Sequence, residues 1–187
     1  MIIPNGSRVL ETERLILRPF RESDGDNMFK NWASDPEVTR YVTWDAHTDP
    51  KNTRALCKMW EDEAKDPKSF RWAIVPKELG EAMGSIDIVG LHEDILRGEI
   101  GYCSGRSGWG KGYMTEAFKA VMEYLFTECG FESIYGRYDV RNPASGRVME
   151  KCGMKYLGDE PFTDKRTGEV GMVGCRLITK EEWEALR

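Results

Sequence analysis

The sequence predicts an α/β fold of the α+β kind, with one mixed, mostly antiparallel sheet, a central parallel strand pair and flanking helices. Three observations carry this. The runs FRWAIVP, MGSIDIVGL and GEIGYC, between residues 70 and 103, are rich in strand formers and separated by glycine-containing turns of hairpin length, which describes an antiparallel meander. Directly after it, Met114, Ala117, Phe118, Val121, Met122, Leu125 and Phe126 recur at helical spacing. ESIYGRYDV at 132–140 then reads as a strand, and a strand regained after a helix of ~15 residues is what a parallel crossover requires.

The other elements follow in order. RLILRPF at 14–20 is a strand closing at Pro19. Ser23 and Asp24 offer N-caps for a helix to about Trp32, stopped by Ser34-Asp35-Pro36. The aromatic stretch from Tyr41 has no helical period, and Pro50 opens a helix to about Lys65 with Leu56, Met59 and Trp60 on one face. Gly130 closes the long helix. Asn142-Pro143 opens a short helix with Val148, Met149 and Cys152 inward and Gly153 at its end. MKYLGDEPF and EVGMVGCRLI flank the turn DKRTGE, and Thr179 with Glu182 forms a capping box for a last helical turn.

A length of 187 residues suits one domain on the usual ~100–200 residues per domain, so 1–187 is expected to be a single unit. With 40% apolar and 32% charged residues the chain can bury a core without disulfide or metal staples. A formal charge of −5 disfavours a dedicated nucleic-acid binder. Cysteines at 57, 103, 129, 152 and 175 form no C-x-x-C pair, and with two histidines they assemble no zinc spacing. The N-terminus lacks a basic start and an apolar region of secretory length, and no apolar run approaches ~18 residues. A cytoplasmic protein with reduced thiols, no metal and no membrane partner is expected; a homodimer is compatible with the sequence.

The segment GRSGWGKGYMTEA at 105–117 joins the meander to the long helix through four glycines in eight residues. Glycine has no Cβ and permits positive φ, so successive N–H groups converge on an anion while the helix N-terminus adds partial positive charge. Such a loop is either a phosphate cradle or a plain strand-to-helix turn. Gly105, Gly110 and Lys111 fit the start of a P-loop, but Gly112 stands where the magnesium-binding hydroxyl belongs. G-x-G-x-x-G also fails, because a start at Gly108 puts Tyr113 at the third glycine.

EIGYCSGRSGWGKGYMTEAFKAVMEYLF followed by YDVRNPASGRVMEKCGMKYLG resembles the GNAT superfamily of N-acetyltransferases, within it the ribosomal-protein N-terminal (RimJ/RimL-like) branch. ETERLILRPFRESD, DPEVTRYV and ITKEEW extend the resemblance across nearly the whole chain. It implies a GNAT-like domain with acetyl-CoA as cosubstrate. In the family's Q/R-x-x-G-x-G/A loop signature, Gly110 and Gly112 align and Ser107 departs from the first position. The backbone donors of Gly108, Trp109, Gly110, Lys111, Gly112 and Tyr113 would meet the pyrophosphate. Gly101, Tyr102 and Cys103 would pair with the pantetheine arm as an extra strand would, setting a backbone donor near the thioester carbonyl. Asn142 would bond the cofactor arm and Ser145 would protonate the departing sulfur, or both would simply cap their helix.

An amine attacking a thioester must arrive neutral, and its reaction needs an oxyanion donor and a proton for the thiolate, with no covalent enzyme intermediate. Asp87 and Glu99, on neighbouring strands beside the expected thioester, are the candidate bases, Glu99 preferred for its place on the strand entering the cofactor site. Cys103 as an acyl carrier is set aside, since a strand cysteine is ordinarily packing. Tyr41 to His47 borders the acceptor cleft by resemblance, either as a lid or as packing. The acceptor is a protein N-terminus or a small amine; an α-amine titrating near ~8 suits a weak base better than a lysine near ~10.4, while the acidic chain also tolerates a polyamine or aminoglycoside. The rival function is a non-catalytic acyl-CoA-binding or regulatory domain on the same fold.

Overall fold

In the computed structural model, which describes residues 1–187, the chain opens with a hairpin the sequence reading had only in part: β1 (Leu10–Glu11) pairs antiparallel with β2 (Leu15–Arg18). Two residues are too few to show an alternating pattern. A helical stretch follows, and it differs from the single capped helix expected. It is a 3-10 turn at Glu22–Asp24, α1 (Gly25–Met28) and a π turn at Phe29–Ala33. Asp24 does not cap a helix from Ser23; both its oxygens accept from Arg18 at 2.7 Å and it takes the Arg21 N–H at 2.8 Å. Asp24 thus stands at N3 rather than at the N-cap, taking the N-cap N–H of Arg21 as in a capping box while the Arg18 guanidinium holds both its oxygens.

α2 (Pro36–Thr39) and α3 (Pro50–Glu63) each start at a proline behind an aspartate, Asp35 and Asp49, whose carboxylate accepts the N–H two residues on. The meander is β3 (Arg71–Pro76), β4 (Gly84–His92) and β5 (Arg97–Ser104). Then come α4 (Tyr113–Glu128), β6 (Ser133–Asp139), α5 (Pro143–Lys151), β7 (Lys155–Thr163), β8 (Val170–Thr179) and α6 (Lys180–Glu184), the last closed by the expected Thr179–Glu182 capping box.

The eight strands form one sheet in the order β1-β2-β3-β4-β5-β6-β8-β7; β5 and β6 are parallel and every other pair is antiparallel. The crossover through α4 makes the parallel pair because a helix returns the chain to the end where the preceding strand began. One sheet face packs Leu17, Trp72, Ile86 and Ile100 against the Phe118, Val121 and Leu125 stripe of α4. The other packs Ala73 and Val75 against Trp32 and Cys57. β3 is therefore covered on both faces, which explains its unbroken apolar run. No helix is long and apolar enough to cross a membrane.

Candidate active site

The strands β5 and β6 run paired only from Arg97↔Ser133 to Ile100↔Gly136. Beyond that β5 stays with β4 as far as Ser104↔Gly84, and β6 stays with β8 as far as Asp139↔Val173. The two central strands thus part, and the backbone edge of Gly101, Tyr102 and Cys103 on the β6 side has no strand partner. An unpaired edge inside a sheet is an opening for an extended group with its own donors and acceptors.

Two cavities meet there. One, of about 730 Å³, lies on the α1–α3 side and reaches Asp87, Glu99 and Arg137; the other, of about 450 Å³, runs along the glycine loop and the start of α5. Tyr41, Tyr102, Cys103, Asn142 and Ser145 line both. The second groove carries Arg40, Arg147 and Lys151 against one carboxylate, Glu37, so its field suits a polyanion. Arg147 and Lys151 were missed in the sequence, where a signal existed: they stand four apart on the exposed side of α5.

The loop is specialised at each glycine that matters. A Cβ at Gly105 would overlap the carbonyl oxygen of Asn31 in the π turn. Gly110 and Gly112 have φ of 74° and 81°, the left-handed region, and Gly112 is the N-cap of α4. The Gly108 and Trp109 N–H groups already donate to the carbonyls of Gly105 and Arg106. By contrast, the N–H groups of Gly110, Lys111 and Gly112 have no acceptor within the protein, and the first turn of α4, beginning with Tyr113, adds further free donors. The donors that fit a diphosphate therefore lie at 110–113, two residues narrower than expected. The Trp109 indole is half exposed at the rim and donates to the Ser104 carbonyl at 2.9 Å. The Lys111 ammonium turns toward Glu78 at 3.7 Å, and the Tyr113 hydroxyl donates to Glu78 at 2.6 Å. Both side chains thus brace the loop.

On the α1–α3 side, Asp87 and Glu99 share a sheet face but not a situation. Asp87 pairs in register with Gly101, and its Oδ1 lies 3.7 Å from where a Gly101 Cβ would stand. Burial raises its pKa against the opposing pull of Arg71, whose Nε donates to it at 3.2 Å. Glu99 accepts two N–H groups from Arg137, at 2.9 and 2.7 Å, and its other oxygen leans toward Gly90. Burial, with the Asp87 charge added, pushes the Cys103 thiol up to about 12, so it stays protonated.

Asn142 caps α5 with a long 3.4 Å bond from the Ser145 N–H. The Ser145 hydroxyl donates to the Tyr102 phenol oxygen at 3.1 Å, and that phenol donates to the Ser145 carbonyl at 2.7 Å. Burial raises the Tyr102 pKa, keeping the phenol protonated. The Tyr102 side chain, considered in the sequence only for its backbone, is thus the neighbour of the Ser145 proton. On the opposite wall, His47 Nδ1 lies 2.7 Å from Thr53 Oγ1, and desolvation lowers its pKa, which leaves the ring neutral at pH 7. Trp44 packs edge-on against His47 and onto the smaller core, so this segment both packs and lines the cavity.

Residues 14–155 match the family model described as an acetyltransferase (GNAT) domain. The chain is 32% identical over 174 residues to a Bacillus licheniformis protein called uncharacterized N-acetyltransferase p20, covering 93% of this chain and 97% of that one. It is 24% identical over 157 residues to the [ribosomal protein uS5]-alanine N-acetyltransferase of Escherichia coli, covering 80% of this chain and 79% of that one. Its fold matches the microcin C7 self-immunity acetyltransferase MccE, solved with acetyl-CoA and AMP, at a TM-score of 0.78 and 14% identity, over 90% of this chain and 93% of that one.

Proposed function

From the premise that the chain belongs to the GNAT acetyltransferase family, we propose that it transfers an acetyl group from acetyl-CoA directly to a primary amine in a ternary complex. It is an acyltransferase, and acetyl-CoA is its cosubstrate. The observation that carries the proposal is the unpaired β5 edge at the junction of a cationic groove and a second cavity, with Ser145 at the junction and Asp87 in the second cavity.

The cosubstrate supplies an acyl group activated as a thioester. Gly110, Lys111, Gly112 and Tyr113 would hold its diphosphate through main-chain N–H groups, with Arg40, Arg147 and Lys151 along the groove. Gly101, Tyr102 and Cys103 would bond the pantetheine arm and present a backbone donor to the carbonyl. Between the two carboxylates we favour Asp87 as the base: it stands beside Gly101 in a pKa-raising environment, whereas Glu99 is committed to Arg137. Ser145, whose hydroxyl donates to the Tyr102 phenol oxygen, would turn its proton to the departing thiolate and regain one from solvent, while Asp87 would release to solvent the proton it takes from the amine. Cys103, thiol at working pH, has no covalent role in this scheme.

The RimJ/RimL-like placement is a proposal about descent, supported by the shared loop-to-Asn-Pro-Ala-Ser order and the uS5-alanine acetyltransferase relative. Residues 1–187 are read as one N-acetyltransferase domain.

Thiol release from acetyl-CoA, measured with a panel of amines, tests the reading; tight CoA binding with no acceptor-dependent release would leave only a binding domain. Asn142→Ala is expected to weaken CoA binding, with a capping loss of about 0.5–2 kcal/mol read separately in thermal unfolding. Ser145→Ala is expected to lower kcat by about a hundredfold with CoA affinity little changed, the lower end of the range for proton transfer. Wild-type values for both variants in both assays would mean the site is misplaced.

A further inference from the structure

We infer that the acceptor is a small monoamine with a flat apolar body, taken up as a free molecule, and that Arg166 in the β7–β8 turn sets this preference. The inference rests on the acetyl-transfer reading above and narrows its acceptor.

Volume comes first. The acceptor-side cavity, at about 730 Å³, has the size of a small-molecule site. Its walls include Trp44 and Phe162, which can pack a flat apolar body, and Tyr41 and Trp60, whose rings already carry the guanidinium groups of Arg40, Arg141 and Arg71 and so leave little room for further cations.

Charge narrows the class. Of the five carboxylates lining the cavity, four already hold an arginine: Asp87 with Arg71 at 3.2 Å, then Glu99 with Arg137, Asp139 with Arg141 and Asp164 with Arg166, each at 2.7 Å. Only Glu169 has no side-chain ion pair. A polyamine or aminoglycoside carries three or more ammonium groups, and each beyond the one at Asp87 and one that Glu169 could take would meet a carboxylate already held by a guanidinium. A single amine needs only one proton acceptor, which Asp87 supplies.

Arg166 Nη1 donates to the Trp44 carbonyl at 3.1 Å and to Asp45 at 3.0 Å, while Asp164 holds the rest of the guanidinium. The β7–β8 turn is thereby tied to the aromatic segment from Tyr41 to His47, and both segments line the cavity. A peptide running out between them would have to part this bridge. A free small molecule would not.

The test uses the full chain with acetyl-CoA and four acceptors: 2-phenylethylamine, spermidine, kanamycin and a short peptide with a free N-terminal alanine. Thiol release is expected to give 2-phenylethylamine a kcat/KM at least about tenfold above the others, the scale on which apolar pockets discriminate. Arg166→Ala, on an exposed turn, is expected to narrow the 2-phenylethylamine-to-peptide ratio by about tenfold, mainly through KM, as a lost specificity contact does. Tryptophan fluorescence, titrated with 2-phenylethylamine alone, reads amine binding without turnover. Preference for spermidine, kanamycin or the peptide, or an unchanged ratio in Arg166→Ala, would overturn the inference while acetyl transfer stands. Saturable binding of 2-phenylethylamine without thiol release from any acceptor would instead sink the acetyl-transfer reading and leave the ligand class standing. Neither binding nor release would remove both.

Discussion

Asp87→Asn is expected to lower kcat by about 10²–10⁴-fold, the contribution of a positioned general base, with acetyl-CoA affinity unchanged. The substitution keeps the shape and removes the proton acceptor beside Gly101. The pH profile carries the sign. Burial raises the Asp87 pKa, and the base works only when ionised, so wild-type kcat/KM should climb as pH rises through that elevated value. The variant should lose this limb. Stability should move the other way. A carboxyl whose folded pKa lies above its unfolded one binds its proton more tightly in the native state. Its contribution is fullest below the unfolded value and is lost as pH rises through the folded one. The neutral amide escapes that loss, so the melting temperature of Asp87→Asn near neutral pH should equal or exceed wild type. Catalysis and stability thus separate in one variant. Wild-type turnover in Asp87→Asn, together with collapse in Glu99→Gln, would hand the role to Glu99.

Gly112→Val should strike the cosubstrate rather than the chemistry. Its φ of 81° lies where a β-branched residue is a true outlier, and such strain costs about 1–3 kcal/mol. If the loop relieves the strain by changing shape, CoA affinity should fall by roughly 5- to 150-fold. Gly112→Asn makes the comparison informative, because asparagine tolerates the left-handed conformation while adding a Cβ that would stand 3.4 Å from Arg14 Nη2. Calorimetric titration with CoA is expected to rank glycine above asparagine and asparagine above valine. A wild-type affinity in the valine variant would take the cradle away from this turn.

Local signals named most of the secondary structure correctly, for reasons visible in particular residues. Gly130 and Gly153 end their helices at φ of 68° and 85°, Asn142-Pro143 starts α5, and the α4 stripe faces the core as its period requires. The misread element is instructive. Asp24 reads as an N-cap, whereas it stands at N3, accepting the Arg21 N–H and also N–H groups from both terminal nitrogens of Arg18, six residues back on a strand. That buried pairing is what no local pattern encodes.

The candidate site divides in the same way. The glycine loop and the Asn142-Pro143 helix start were legible from short-range chemistry, missing Cβ atoms and a cap, while the roles proposed for Asn142, Ser145 and the β5 edge rest on the family resemblance. The ranking of Asp87 and Glu99 was not legible, since the two differ only in which arginine comes from elsewhere, Arg71 on β3 or Arg137 on β6, and how firmly it holds. Nor was the pairing of Tyr102 with Ser145, 43 residues apart, or the bridge from Arg166 to Trp44, 122 residues apart.

By itself, the sequence determined which segments become strands and helices, and that a glycine turn with free N–H groups precedes the longest helix. Those outcomes follow from periodicity and backbone freedom, which act over a few residues. Only the tertiary structure decided where the central strands part, that Asp87 lies where burial raises its pKa, and which segments bridge the mouth of the larger cavity. These depend on partners brought together from distant parts of the chain, where desolvation and charge act through space rather than along the backbone.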